Sequence, residues 1–150
     1  MQTETETEIE TQTQTERPTK RDLLWKNFMY KVIVERKFSS AHFLRDYHGK
    51  DEPLHGHNWK VQIQFSGKNL IAPEEYLVDF VEVQESLKKV VSQIDYCNIN
   101  ERAPFDRINP SAENIARWIC EQMAALHPEC PPVCVTVWET DDGAASYSPQ

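Results

Sequence analysis

The sequence predicts an α+β fold: an antiparallel four-stranded sheet with two helices on one face. Three observations carry that prediction. Segments with apolar residues at every second position occur near both ends of the compact part of the chain. Between them lie two successive stretches whose apolar residues recur at three- and four-residue steps. The resulting order is strand, strand, helix, helix, strand, strand, with no internal repeat, and consecutive strands of that kind pair as hairpins.

The first 24 of the 150 residues stand apart. Thr3 to Glu16 alternates Thr, Glu and Gln with Ile9 as its one apolar residue. A segment with no apolar surface to bury cannot offset the entropy of ordering its backbone, so residues 1–24 are expected to form a disordered tail. Residues 25–150 suit one compact domain.

Met29 to Phe38 is rich in β-branched residues and predicts the first strand. A polar loop follows, with Gly49 and a cluster of charges. Asn58 to Phe65 is the cleanest alternation, with Trp59, Val61, Ile63 and Phe65 on one face and Lys60, Gln62 and Gln64 on the other. Asp79 is placed to cap a helix from about Phe80 to Ile94, whose stripe is Phe80, Val83, Leu87, Val90, Val91 and Ile94. Ser111, with Asn114 three residues on, predicts the start of a second helix, striped by Ile115, Trp118, Ile119, Met123 and Leu126 and stopped by Pro128. Val133 to Thr140 predicts a third strand, and Ala145 to Ser148 a short edge strand. Two helices cover only one sheet face, and the bulk of Trp59 and Trp138 suggests that another subunit meets the other.

Charge narrows the function. Carboxylates outnumber Lys and Arg by 24 to 16. The tail supplies −3 of the net −8, leaving −5 on the domain. No basic stripe marks a nucleic-acid or anionic-membrane partner, no apolar run approaches the ~20 residues of a membrane helix, and no signal-peptide pattern opens the chain. Cys97, Cys120, Cys130 and Cys134 show no zinc-knuckle spacing, which predicts reduced thiols in a cytoplasmic protein.

The chemistry concentrates in His42, His55 and His57. His55 and His57, in H-G-H, project from one face of a strand about 6.5–7 Å apart. His42 ends the first strand, which a hairpin brings beside the start of the second. Three neutral imidazoles with an open position describe a catalytic zinc site, although copper, iron and nickel also take imidazole. His127, before Pro128, is expected to complement a helix dipole, and His48 to face solvent.

F-S-S-A-H-F, L-H-G-H-N-W-K-V, L-V-D-F, I-D-Y-C-N-I-N, N-P-S-A-E-N-I-A-R-W-I and V-W-E-T, in that order from Met29 to Tyr147, resemble the motif series of the 6-pyruvoyl- and 6-carboxy-tetrahydropterin synthase superfamily. The resemblance implies a T-fold whose subunits close into barrels, in homo-oligomers that are commonly hexamers. It implies Zn2+ on His42, His55 and His57, a pterin-anchoring carboxylate at Glu139, and 7,8-dihydroneopterin triphosphate as substrate. A carboxylate can accept the adjacent N–H and amino group of a pterin in a bidentate pair.

Two departures shape the expected activity. The family's cysteine before H-G-H is missing: Asp51 stands at its place in the carboxy-forming enzymes. Glu52 instead gives E-x-x-H-G-H, which resembles the subgroup that cleaves the side chain to 6-hydroxymethyl-7,8-dihydropterin, a folate precursor. Where the family has aspartate and histidine as a proton relay, this chain has Asp95 and Tyr96, and a phenol with pKa near 10 is a poor base at neutral pH. The expected function is therefore carbon–carbon lyase chemistry with Glu52 as general base, Asp95 and Glu139 as further catalytic residues, and Glu139 also binding the substrate. The alternatives are a 6-carboxy-tetrahydropterin synthase serving queuosine synthesis, and an inactive pterin- or partner-binding module.

Overall fold

The computed structural model describes residues 29–150, so the tail expected over residues 1–24 lies outside the described residues. Four strands form one antiparallel sheet in chain order: β1 (Tyr30–His42), β2 (His55–Gly67), β3 (Cys134–Trp138) and β4 (Ala144–Tyr147). Two helices, α1 (Phe80–Val91) and α2 (Ala112–Leu126), separate β2 from β3, with a short 3-10 turn at Ile99–Glu101 between them.

Alternation decides which face is covered. Val34 and Phe38 of β1, Trp59, Val61, Ile63 and Phe65 of β2, and Val135 and Val137 of β3 are buried. They pack with Val83, Leu87, Val90 and Val91 of α1 and Ile115, Ile119 and Met123 of α2 into one core. Burying a side chain of this size stabilises the fold by about 1.5–3 kcal/mol. The opposite face is polar, and Lys60 Nζ lies 3.9 Å from the centre of the Trp138 ring there. Trp59 is fully buried under the helices, so its bulk belongs to the core and says nothing about another subunit.

Both helix caps form as expected. Asp79 Oδ1 accepts from Val81 N–H at 2.7 Å, and Ser111 Oγ from Asn114 N–H at 3.3 Å. The Asn114 side chain does not close a capping box; it donates to the Asn109 carbonyl at 2.9 Å. α1 stops at Val91, three residues before the expected end, because Gln93 and Ile94 turn back in tighter bonds to the carbonyls of Val90 and Val91. Both of the first strands are longer than their apolar alternation. β1 runs on through Ser39, Ser40 and Ala41 to His42, and β2 begins at His55, so the two pair from Tyr30↔Gly67 to His42↔His55.

Candidate functional site

The site is the last stretch of the covered face. The β1–β2 register sets His42 directly across from His55 and Ser40 across from His57. His42 therefore follows Phe38 and Ser40 along one face, and His57 follows Trp59. Glu139, the residue after β3, continues the row of Val135 and Val137. One ligand atom from each of His42, His55, His57 and Glu139 lies within 4.8 Å of all the others.

Backbone carbonyls orient two of the rings. His42 Nδ1 donates to the Pro110 carbonyl at 2.8 Å, and His55 Nδ1 to the Pro53 carbonyl at 2.9 Å. A carbonyl only accepts, so each Nδ1 carries a proton, and in the neutral ring that leaves the Nε2 lone pair for a metal ion. His42 Nε2 and His57 Nε2 are buried without a hydrogen-bond partner. Glu139 Oε1 is 3.3 Å from the first and 3.1 Å from the second, close but not in hydrogen-bonding geometry. Buried lone pairs of this kind are costly unless something coordinates them. Ligand atoms of a tetrahedral zinc stand about 3.4 Å apart, so a modest contraction would let the cluster grip an ion. The donor set fits the group that the sequence suggests.

The electrostatics favour the ligating form. Burial, the largest cause, lowers the pKa of the His57 imidazole. Glu139 opposes the effect, positive charge on His42 or His55 adds to it, and Glu52 opposes it. Trp59 forms the floor: its ring meets those of His42 and His57 edge-on at 4.8 and 5.3 Å, and its Nε1 donates to the Ser40 carbonyl at 3.2 Å. Beside Glu139 a cavity of about 340 Å³ opens, lined among others by Leu44, Ser111, Thr140 and Gly143.

The other expected site residues lie outside the cluster of four. Glu52 is half-buried; its Oε2 accepts from Leu44 N–H and its own N–H donates to the Leu44 carbonyl, both at 3.0 Å. Asp51 Oδ1 accepts from Asp46 N–H at 3.0 Å. Asp95 Oδ1 accepts from Ser39 N–H at 3.0 Å, on the edge of β1 away from β2. Tyr96 is 87% exposed with a left-handed backbone. His48 is exposed as expected. His127 caps α2 through its backbone, and its ring packs edge-on against Phe65 at 5.8 Å, with Nε2 buried and unpartnered. That ring sits at the end of α2 and is held there by packing. The carbonyl of Pro110 and the side chains of Asn100 and Asn109, which brace the site from behind, have no signal of their own in the sequence beyond the Asn-Pro step.

Comparison with known proteins follows the geometry. The family model described as 6-pyruvoyl tetrahydropterin synthase matches residues 31–150. A putative 6-carboxy-5,6,7,8-tetrahydropterin synthase of Archaeoglobus fulgidus is 31% identical over 93 residues, 62% of this chain and 75% of that protein. A dihydroneopterin monophosphate aldolase of Pyrococcus furiosus is 29% identical over 62% of this chain and 74% of its own length. The 6-carboxy-5,6,7,8-tetrahydropterin synthase of Haemophilus influenzae is 29% identical over 79% of this chain and 99% of its own. Among solved structures, 6-pyruvoyl tetrahydropterin synthase of Caenorhabditis elegans superposes with a TM-score of 0.72 at 19% identity, covering 81% of this chain and 96% of that one.

Proposed function

The chain belongs to the 6-pyruvoyl tetrahydropterin synthase family and is an enzyme of that family, and from that premise we propose that it is a zinc-dependent lyase. Its substrate is 7,8-dihydroneopterin triphosphate and its product 6-hydroxymethyl-7,8-dihydropterin. The observation that carries this reading is a glutamate, with no cysteine, three residues before His55 on the loop entering the histidine cluster, its carboxylate fixed on Leu44 N–H.

His42, His55 and His57 would hold the zinc, which would supply Lewis acidity toward the hydroxyls of the substrate side chain. Glu139 anchors the pterin by accepting its N–H and amino group, with the neighbouring cavity for the ring. Glu52, one oxygen held by Leu44 N–H, takes the proton of the 2′-hydroxyl with the other. The C1′–C2′ bond then breaks. The dihydropterin ring receives the electron pair, a proton returns at C1′, and C2′ leaves as the aldehyde of glycolaldehyde triphosphate. Asp95, held against Ser39 N–H, acts by fixing the segment that carries Tyr96. A neighbouring Plasmodium vivax structure, 21% identical, is described as a mutant at a catalytic residue, a glutamate, which is in keeping with the role of Glu52.

A second reading has its own support: the Archaeoglobus and Haemophilus relatives carry the 6-carboxy name, so the chain could instead make 6-carboxy-5,6,7,8-tetrahydropterin on the queuosine route. The aldolase name of the Pyrococcus relative supports cleavage. The subunits, in this proposal, close edge to edge into barrels, as a hexamer in the cytoplasm. β1 and β4 are the two edges of the sheet, and the four cysteines are free. No helix among the described residues is long and apolar enough to cross a membrane.

The test is to incubate the zinc-loaded protein with dihydroneopterin mono- and triphosphate and identify the pterin products by mass. Release of 6-hydroxymethyl-7,8-dihydropterin is expected, and a 6-carboxy product alone would overturn the cleavage reading. Glu52→Gln is expected to abolish turnover with zinc content unchanged.

A further inference from the structure

Past His42 the strand ends, but the backbone of Phe43, Leu44 and Arg45 is still hydrogen-bonded on alternating sides. Alternate residues of an extended chain present N–H and C=O to the same side. On the side away from β2, Ser39 donates to Asp95 Oδ1 at 3.0 Å and accepts from Tyr96 N–H at 2.7 Å, and Ala41 donates to the Cys97 carbonyl at 3.0 Å. The next two positions are met by side chains. Asn100 Oδ1 accepts from Phe43 N–H at 2.9 Å while its Nδ2 donates to the Phe43 carbonyl at 2.8 Å. Asn109 repeats the pattern on Arg45, at 2.8 and 3.0 Å. Each amide thus does what a residue of a neighbouring strand would do. The Arg45 guanidinium ties the pair together, donating to the carbonyls of Ile108 and Asn100 at 3.1 and 3.2 Å.

Between the two clamped residues sits Leu44, whose N–H and C=O point the other way. Both go to Glu52, one to its carboxylate and one to its backbone. The loop that joins them, residues 46–50, is exposed and turns through left-handed Asp46, His48 and Gly49. The position of Glu52 is therefore set by Leu44, and Leu44 is held by its two clamped neighbours.

We propose that Asn100 and Asn109 are positioning residues that fix the Glu52 carboxylate, on the loop entering β2 at His55, by clamping Phe43 and Arg45 on either side of Leu44. The proposal rests on the reading of Glu52 as general base. A group that must reach a substrate proton loses much of its effect when displaced by even an ångström.

The experiment uses the full zinc-loaded chain with dihydroneopterin triphosphate, comparing wild type with Asn109→Asp, Asn109→Ala and Asn100→Asp. The aspartates keep the acceptor for the clamped N–H and lose the donor to the carbonyl. The expected result is a fall in kcat of about tenfold or more, with KM within about twofold and zinc content at the wild-type level. Amide exchange at Phe43, Arg45 and Glu52 should accelerate, while that of Val61 and Val137 stays slow. If Asn109→Ala also loosens Val61, the isosteric aspartates alone are read. Wild-type kcat with accelerated exchange at Phe43 and Arg45 overturns the proposal, and so does a joint loss of kcat, KM and zinc. A wild-type chain inert on every dihydroneopterin phosphate overturns the functional reading itself.

Discussion

Replacing Trp59 with phenylalanine tests whether the core and the imidazole cluster are one mechanical unit. Trp59 is fully buried, lies parallel to Phe38 at 5.9 Å, and supports His42 and His57 edge-on. The smaller ring removes the donor to the Ser40 carbonyl, and loss of a buried partner costs about 1.5 kcal/mol. It also deletes three buried ring atoms, and lost transfer energy plus residual cavity add about 2 kcal/mol. The expected destabilisation is about 3–4 kcal/mol, read as a lower urea midpoint at fixed protein concentration with an unchanged slope. With their floor loosened, the imidazoles should also bind zinc about tenfold more weakly, the scale of losing an outer-shell support. A stability loss below about 1 kcal/mol would refute the packing argument. Unchanged zinc affinity would refute the link between floor and ligands.

Three further outcomes are expected. His42→Ala and His57→Ala should each reduce zinc content to a small fraction of wild type by metal analysis, since three imidazoles are the minimum for a tight site. Because burial depresses the His57 pKa below its ordinary 6.5, the unfolded chain binds more protons than the folded one as pH falls. The metal-free protein should then be less stable below pH 6.5 than above it, visible as a falling midpoint in urea, and zinc affinity should decline over the same range. Asp79→Ala removes the acceptor for Val81 N–H and should cost about 1 kcal/mol by the same denaturation assay.

Much of this molecule was legible in its residues, for identifiable reasons. The alternation of Trp59, Val61, Ile63 and Phe65 and the caps at Asp79 and Ser111 are local signals, and each formed; the helical stripes formed except at their outermost members, Phe80 and Leu126, which stay exposed at the helix ends. H-G-H on one strand face and a histidine at the end of its hairpin partner were enough to expect convergence. The reach of β1 to His42 is legible in the motif and not in alternation, since Ser39–His42 follows no apolar pattern; the pairing there is set by β2 and by residues 95–98. His127 stands at the helix end as its place before Pro128 indicated, but the packing of its ring on the tertiary neighbour Phe65 has no local signal. The clamps on Phe43 and Arg45 join residues more than fifty positions apart through side-chain amides, and sequence spacing carries no trace of such a bond.

The direct opposition of His42 and His55 has a consequence for how errors are avoided. Sheet positions alternate with a period of two, so a slip of β1 against β2 by one residue would carry Val34 and Phe38 out to water and turn His42 toward the bare side in the same movement. Hydrophobic burial and ligand convergence thus penalise the same mistake. A chain that has found its proper alignment has, in doing so, already gathered its imidazoles, and no separate step is needed to assemble them.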